Sequence, residues 1–146
     1  MIADTLRRVV LPIYLYSFGL NNYGQLGLGD TSDRTSPVKV GTDTWIAVAC
    51  GLGHSLAINS DGYLYSFGRN NYGQLGLGDT TQRTSPTKVG TDTWIAVAGG
   101  EGHSLAINSD GYLYSFGYNG YGQLGLGNTT NKSSPTKVGT DTWTVI

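Results

Sequence analysis

Two adjacent pairs, His54-Ser55 and His103-Ser104, carry the residue types of a general base and a nucleophile. A serine hydroxyl becomes reactive when an imidazole takes its proton, and that requires the two side chains to lie within hydrogen-bond reach. Each pair opens a short run, His-Ser-Leu-Ala-Ile, that reads as a β-strand. Neighbours in a strand point to opposite faces, so the two groups of one pair cannot meet. Each histidine is read instead as a tie between its strand and a neighbouring turn. Asn59-Ser60-Asp61-Gly62 bears a faint likeness to a calcium loop, but Ala57 stands in the first ligand place and the closing Glu is missing. The Gly-Gln-Leu-Gly segments are followed by neither a helix nor a Lys-Ser/Thr pair, which argues against a phosphate cradle. With no Cys/His cluster and no acidic pair at enzyme-like positions, we expect no catalytic residue, no metal and no cofactor. The chain is read as a non-enzyme.

What positions these residues is a repeat. Residues 14–62 and 63–111 match letter for letter except at 20/69, 32/81, 33/82, 38/87, 50/99 and 52/101. A third, truncated copy covers residues 112–146, and residues 1–13 lie outside the pattern. A repeat of this length is one supersecondary unit that cannot bury its apolar faces alone and must stack on its neighbours. A single active site rarely comes in near-identical triplicate.

Composition narrows the partners. Charged residues make up 13% of the chain, about half the usual share, and glycine numbers 23. The net charge of -1 gives no electrostatic reason to approach DNA, RNA or an anionic membrane. The apolar run at residues 9–13 is broken by Pro12 and is too short to span a bilayer or act as a signal segment. Cys50 is the one cysteine, so no intrachain disulfide can form and a soluble, cytoplasmic protein is expected. The triplets Asn128-Thr129-Thr130 and Asn131-Lys132-Ser133 match glycosylation acceptors, but without a secretory signal they are read as coincidence.

Within one unit, Trp45-Ile46-Ala47-Val48-Ala49 is apolar on both faces, and Gly51 to Gly53 turn the chain into the histidine strand. Asp61-Gly62 suits the two central places of a tight hairpin turn. The return strand Tyr63-Leu64-Tyr65-Ser66-Phe67 places three aromatics on one face. A Gly-rich stretch then leads to Ser85-Pro86-Thr87-Lys88-Val89, an edge strand because proline cannot donate to a ladder. Gly73, Gly76 and Gly78 are expected to let backbones approach closely, with Leu75 and Leu77 filling the gap. Four short antiparallel strands whose inner members need cover on both faces describe a β-propeller blade. The fold class is all-β, with about three blades per chain. Thr5-Leu6-Arg7-Arg8-Val9-Val10 stands where a further histidine strand would lie, so the first 13 residues replace part of the first blade.

The segments Val48-Ala49-Cys50-Gly51-Leu52-Gly53-His54-Ser55-Leu56-Ala57, Asp61-Gly62-Tyr63-Leu64-Tyr65-Ser66-Phe67-Gly68 and Asn70-Asn71-Tyr72-Gly73-Gln74-Leu75-Gly76-Leu77-Gly78-Asp79 resemble the regulator of chromosome condensation repeat. The resemblance covers nearly the whole chain and implies blades of a seven-bladed propeller. Phe18, Phe67 and Phe116 stand where many members carry Trp, a change that keeps the aromatic. The family it implies includes an exchange factor for a small GTPase, domains of ubiquitin ligases, an ultraviolet photoreceptor and a β-lactamase inhibitor, most of which grip another protein. The photoreceptor's repeats carry Trp and Arg just before the His; Leu52-Gly53 and Glu101-Gly102 stand there here, which argues against light sensing. Neither inserted loops nor a basic arm, on which the exchange factor relies, is present. The resemblance thus implies a non-enzymatic protein-interaction scaffold, with a guanine nucleotide exchange factor or a purely structural or designed module as alternatives.

The copies differ mainly in turns. One position reads Leu20, Arg69 and Tyr118; another reads Asp33, Gln82 and Asn131; a third reads Leu52 and Glu101. Leu20, Arg69, Tyr118, Leu52 and Glu101 are the candidate partner-binding residues, since Arg and Tyr are the types enriched at binding hot spots. Drift at exposed sites is the competing explanation. Closed propellers have four to eight blades, so about three leave open faces that invite self-association. Two chains closing a six-bladed ring, with residues 143–146 of one completing the first blade of the other, is one solution. A fragment of a longer propeller and an open arc are the others.

Overall fold

The computed structural model describes residues 11–146. They form β1 (Tyr14–Gly19), β2 (Arg34–Cys50), β3 (His54–Asn59), β4 (Tyr63–Gly68), β5 (Arg83–Gly99), β6 (His103–Asn108), β7 (Tyr112–Gly117) and β8 (Lys132–Thr142). Each strand pairs antiparallel with the next in chain order. Residues 1–10, which the sequence reading placed in the first blade, lie outside the described residues. The carbonyl of Ile13 accepts the Trp45 N–H at 2.9 Å, as those of Gly62 and Gly111 accept from Trp94 and Trp143. The chain therefore enters the first unit on the same track as the other two.

β2 and β5 are each 17 residues long and serve two sheets. Residues 83–93 of β5 pair with β4, and residues 94–99 pair with β6. The result is two complete four-stranded blades and a two-stranded half-blade made of β1 and residues 34–44 of β2. The sequence places two separate strands at Ser85-Val89 and Trp94-Ala98; the structure runs them together. Gly90, at φ 59°, supplies a bulge where the pairing jumps from Tyr65↔Lys88 to Tyr63↔Thr93, so the backbone bends without ending the strand. Pro86 sits on the stretch of β5 whose sole ladder partner is β4, as an edge position requires.

The hairpin at Asn59-Ser60-Asp61-Gly62 also differs in detail. The Gly62 N–H bonds the Asn59 carbonyl at 2.9 Å, which makes Ser60 and Asp61 the central pair. Gly62 follows at φ 85°, and among the described residues none other than glycine has positive φ. This is the longer hairpin, a turn on Ser60-Asp61 followed by a left-handed glycine, in place of the two-residue turn on Asp61-Gly62 that the sequence suggests.

The core lies between blades. Leu56, Ile58 and Leu64 of the first complete blade pack with Val89, Trp94, Ala106 and Phe116 in one buried cluster. Trp45 and Trp94 are buried and meet Tyr65 and Tyr114 edge-on at 5.4 and 5.3 Å, whereas Trp143 is half-exposed. The Gly-rich loops form the contact between blades. A Cβ added at Gly76 would lie 2.9 Å from the Phe116 ring, and one at Gly73 would lie 2.5 Å from the Ser133 Cα. Gly78 has room for a Cβ but takes φ 81° and donates its N–H to the Ser133 carbonyl at 2.8 Å. Leu75 is fully buried beneath the loop and Leu77 packs against the core cluster.

Asn21, Asn70 and Asn119, fully buried in the three units, knot these loops. The Asn70 amide donates to the Asp79 and Thr81 carbonyls at 3.1 and 3.0 Å, and its oxygen accepts the Leu75 N–H at 2.9 Å. Position 33 belongs to the same device. Asp33 and Asn131 accept the N–H of Asn21 and Asn119, each at 2.8 Å, so part of its variation is structural. Asn128 and Asn131, singled out by their triplets, are likewise spent inside the third loop.

Candidate functional site

The histidines and serines do meet, but between blades. His54 Nε2 lies 2.9 Å from Ser104 Oγ, and both residues are buried. The adjacency argument holds within each strand; stacking the sheets brings the base of one unit to the serine of the next. The polarity is wrong for nucleophilic attack. The Ser104 hydroxyl gives its proton to the Gln74 carbonyl at 2.7 Å, so it accepts from His54 Nε2–H. A base that donates to the serine cannot activate it. Ser55 makes the matching bond to the Gln25 carbonyl at 2.8 Å. The pair is a rivet between blades.

Burial, with a smaller contribution from His103, holds the His54 imidazole down to about 4 from its ordinary value near 6.5. Burial also lowers His103. A base depressed in the folded state stays neutral there while the unfolded chain takes up a proton below its own value. Stability therefore falls as pH drops from about 6.5 towards 4, by roughly 2 kcal/mol between pH 7 and 5 from His54 alone. Urea unfolding at the two pH values should show that loss, and His54→Gln should flatten the His54 share. Equal stability of the unaltered protein at pH 7 and 5 would contradict the assignment.

Three of the varied turn residues meet on a rim formed by the loops after β4, β5 and β7. Arg69, Glu101 and Tyr118 line one groove of about 420 Å³ together with Tyr72, His103 and Tyr121. Arg69 comes from the loop of one blade, whereas Glu101 and Tyr118 come from the next. The Arg69 guanidinium lies over both Tyr23 and Tyr72, 5.3 and 5.5 Å from the ring centroids. Tyr118 stacks at a tilt on Tyr72, 4.9 Å between centroids, and meets Tyr121 edge-on at 5.9 Å. A Tyr-Arg-Tyr-Tyr-Tyr row thus crosses three units. Partial desolvation on this rim, with Tyr121 and Tyr72 beside it, raises the Tyr118 hydroxyl above its ordinary value. Tyr118 keeps its hydrogen-bonding proton at neutral pH.

Leu20 and Leu52 occupy the equivalent positions one unit earlier, where both are exposed, and they do not line this groove. The tyrosines of the row were missed from sequence because Tyr23, Tyr72 and Tyr121 do not vary between copies. A signal was nevertheless present at the residue two places after the varied one. Asn71 accepts a bond from Arg69 Nε at 2.8 Å, while the third unit has Gly120, where a Cβ would lie 2.5 Å from Tyr118 Cζ. Asn22 and Asn71 are alike in the first two units, and the third alone has glycine there, which leaves room for the Tyr118 ring to fold back over the chain.

Among the described residues no group of three His, Cys, Asp or Glu side chains is placed to hold a metal ion. No helix there is long and apolar enough to cross a membrane.

The model of the regulator of chromosome condensation (RCC1) repeat matches residues 14–58, 61–107 and 110–144. A second model of the same description matches 45–74 and 94–123. The chain belongs to the RCC1 repeat family. It is 41% identical over 51 residues to the ultraviolet-B receptor UVR8 of Arabidopsis thaliana, covering 33% of this chain and 12% of that protein. Yeast RCC1 (Prp20) bound to Kap60 superposes with TM-score 0.78 and 29% identity, over 87% of this chain and 33% of that one. Human WBSCR16 superposes with TM-score 0.76 and 29% identity, over 85% and 33%. The blades are those of an RCC1-type propeller, and the chain spans about a third of the length of these solved relatives.

Proposed function

We propose that this protein is a non-enzymatic protein-interaction scaffold whose partner surface is the tyrosine–arginine rim. The observation that carries this reading is the convergence on one groove of Arg69, Glu101 and Tyr118, which stand at two positions that vary between near-identical copies. Rigid sheets supply the platform, and the loops supply aromatic area and a cation, the residue types that dominate binding energy. Leu20 and Leu52 extend the same rim over the preceding unit. The partner is a protein, with no nucleic acid, metal or membrane involved. A cytoplasmic setting suits the exposed, unpaired Cys50 thiol.

The chain coupled to an affinity matrix should retain a partner that the Arg69→Ala/Tyr118→Ala double variant releases, with affinity weakened at least tenfold. Unchanged binding of that partner would remove the rim from the reading. A regulator of a small GTPase is a second reading, supported by the similarity to Prp20p of Saccharomyces cerevisiae, a protein described with its binding to Gsp1p and histones. Accelerated nucleotide release from a small GTPase would favour it. Self-association that covers the open blade faces belongs to the same scaffold reading.

A further inference from the structure

The contact between blades is a loop laid on the outer strands of the next unit, and it is made twice within the chain. Gly27 and Gly76 abut the rings of Phe67 and Phe116, each with a Cβ position 2.9 Å from the ring. Gly24 and Gly73 abut the backbones of Thr84 and Ser133. Gly29 and Gly78 donate their N–H groups to the carbonyls of those two residues, both at 2.8 Å. Everything the loop touches in these contacts lies on the outer two strands of the receiving blade, and the half-blade has both.

Among the described residues each half of this contact is also present without its complement. On the half-blade, Phe18 is 63% exposed where Phe67 and Phe116 are 2% and 0% exposed, and Thr35 stands at the position of Thr84 and Ser133. At the other end, the loop of the third unit holds Gly122, Gly125 and Gly127 at φ 77°, 68° and 71°, the same left-handed shape as the inner loops. A Cβ at Gly127 would meet nothing within 4 Å, and one at Gly125 would meet only Val138, at 3.3 Å.

We infer that a second copy of this chain docks head-to-tail, laying its loop of residues 119–131 on Phe18 and Thr35 as the inner loops lie on their neighbours. The inference deepens the self-association reading by assigning its two surfaces. Cys50 restricts the contact to the outer strands. It stands at the position of Gly99, where a Cβ would lie 2.7 Å from the Gly51 nitrogen, so no second inner strand can approach Cys50 as closely as Cys50 and Gly51 approach Gly99. The serine bond to the loop carbonyl comes from the inner strands, by Ser55 and Ser104, and the half-blade has no such strand among the described residues, so the trans contact is weaker than the inner ones. Such a heterologous contact closes into a ring when its rotation permits. Two chains bring six units together, within the range of closed propellers.

Light scattering on the full chain tests this with two variants. Phe18→Asp alters an exposed side chain, and Gly125→Asn keeps a residue that tolerates the left-handed region while filling the contact. Unfolding curves establish that each variant folds. The unaltered protein should run at the mass of two or more chains and each variant at the mass of one. A one-to-one mixture of the variants should recover two-chain mass, because one brings an intact loop and the other an intact Phe18. A folded unaltered protein that stays at single-chain mass at tens of micromolar would end both this inference and the self-association reading. If both variants still associate, another surface is responsible and the geometry is wrong while self-association stands. If each variant is monomeric but the mixture does not recover, the contact is not head-to-tail.

Discussion

Asn70→Ala should cost about 3–4 kcal/mol of stability, a large share of what holds a domain of this size together. The change removes the amide that binds the Asp79 and Thr81 carbonyls and the oxygen that takes the Leu75 N–H, all beneath a loop that water does not reach. A buried N–H left without an acceptor costs about 1–3 kcal/mol by itself, and the loop must either bear that or open. Opening would lift Leu75 from the core and Gly76 from the Phe116 ring, which couples the local loss to the contact between blades. Asn70→Asp should be no milder, because a carboxylate would face the same two carbonyls. Asn71→Ala, one residue away and exposed, should cost less than about 1 kcal/mol. Urea unfolding of the three variants measures this. A loss under about 1 kcal/mol for Asn70→Ala would mean that the glycines and Leu75 hold the loop without the knot.

The second large effect is a contrast between identical residues. Phe116→Ala should lose about 3–5 kcal/mol, since the ring is fully buried against Gly76 and the neighbouring Pro135 leaves little freedom to collapse. Phe18→Ala, the same substitution at the same place in the unit, removes a ring that is 63% exposed and should cost little in dilute solution. Its cost should grow with protein concentration as association comes to contribute to stability, whereas the Phe116 effect should not depend on concentration. Denaturant curves at two concentrations separate the cases. Equal losses for the two variants at high dilution would show that the half-blade face is already covered within one chain.

Much of this was legible in the residues. Near-identity of residues 14–62 and 63–111 required stacked units, but the cover expected on both faces of the Trp-Ile-Ala-Val-Ala segment reaches Trp94 and not Ile95, which is 54% exposed. Glycines 73 and 76 could be read as points of close approach, because few other roles need glycine at that spacing between leucines. Less legible was anything that depended on which atoms meet across the gap. The join of two segments into β5 turns on the backbone angle of Gly90, and the hairpin register on whether Asp61 or Gly62 takes the left-handed place. Among the candidate rim residues, Arg69, Glu101 and Tyr118 share a groove while Leu20 and Leu52 lie outside it, although all five were marked by the same kind of variation.

The class of the protein follows from its residues alone: an all-β stack of one duplicated unit, assigned by its motifs to the regulator of chromosome condensation family. That much is local, since strand period, turn chemistry and repetition are written along the chain. It took the packing of the blades to show that His54 reaches Ser104 and with which polarity, that three loops assemble one aromatic row, and that Phe18 is exposed where Phe67 and Phe116 are covered. Those facts arise between units. Copies identical in sequence acquire different surroundings according to which neighbours stand beside them, and no residue's type records its neighbour.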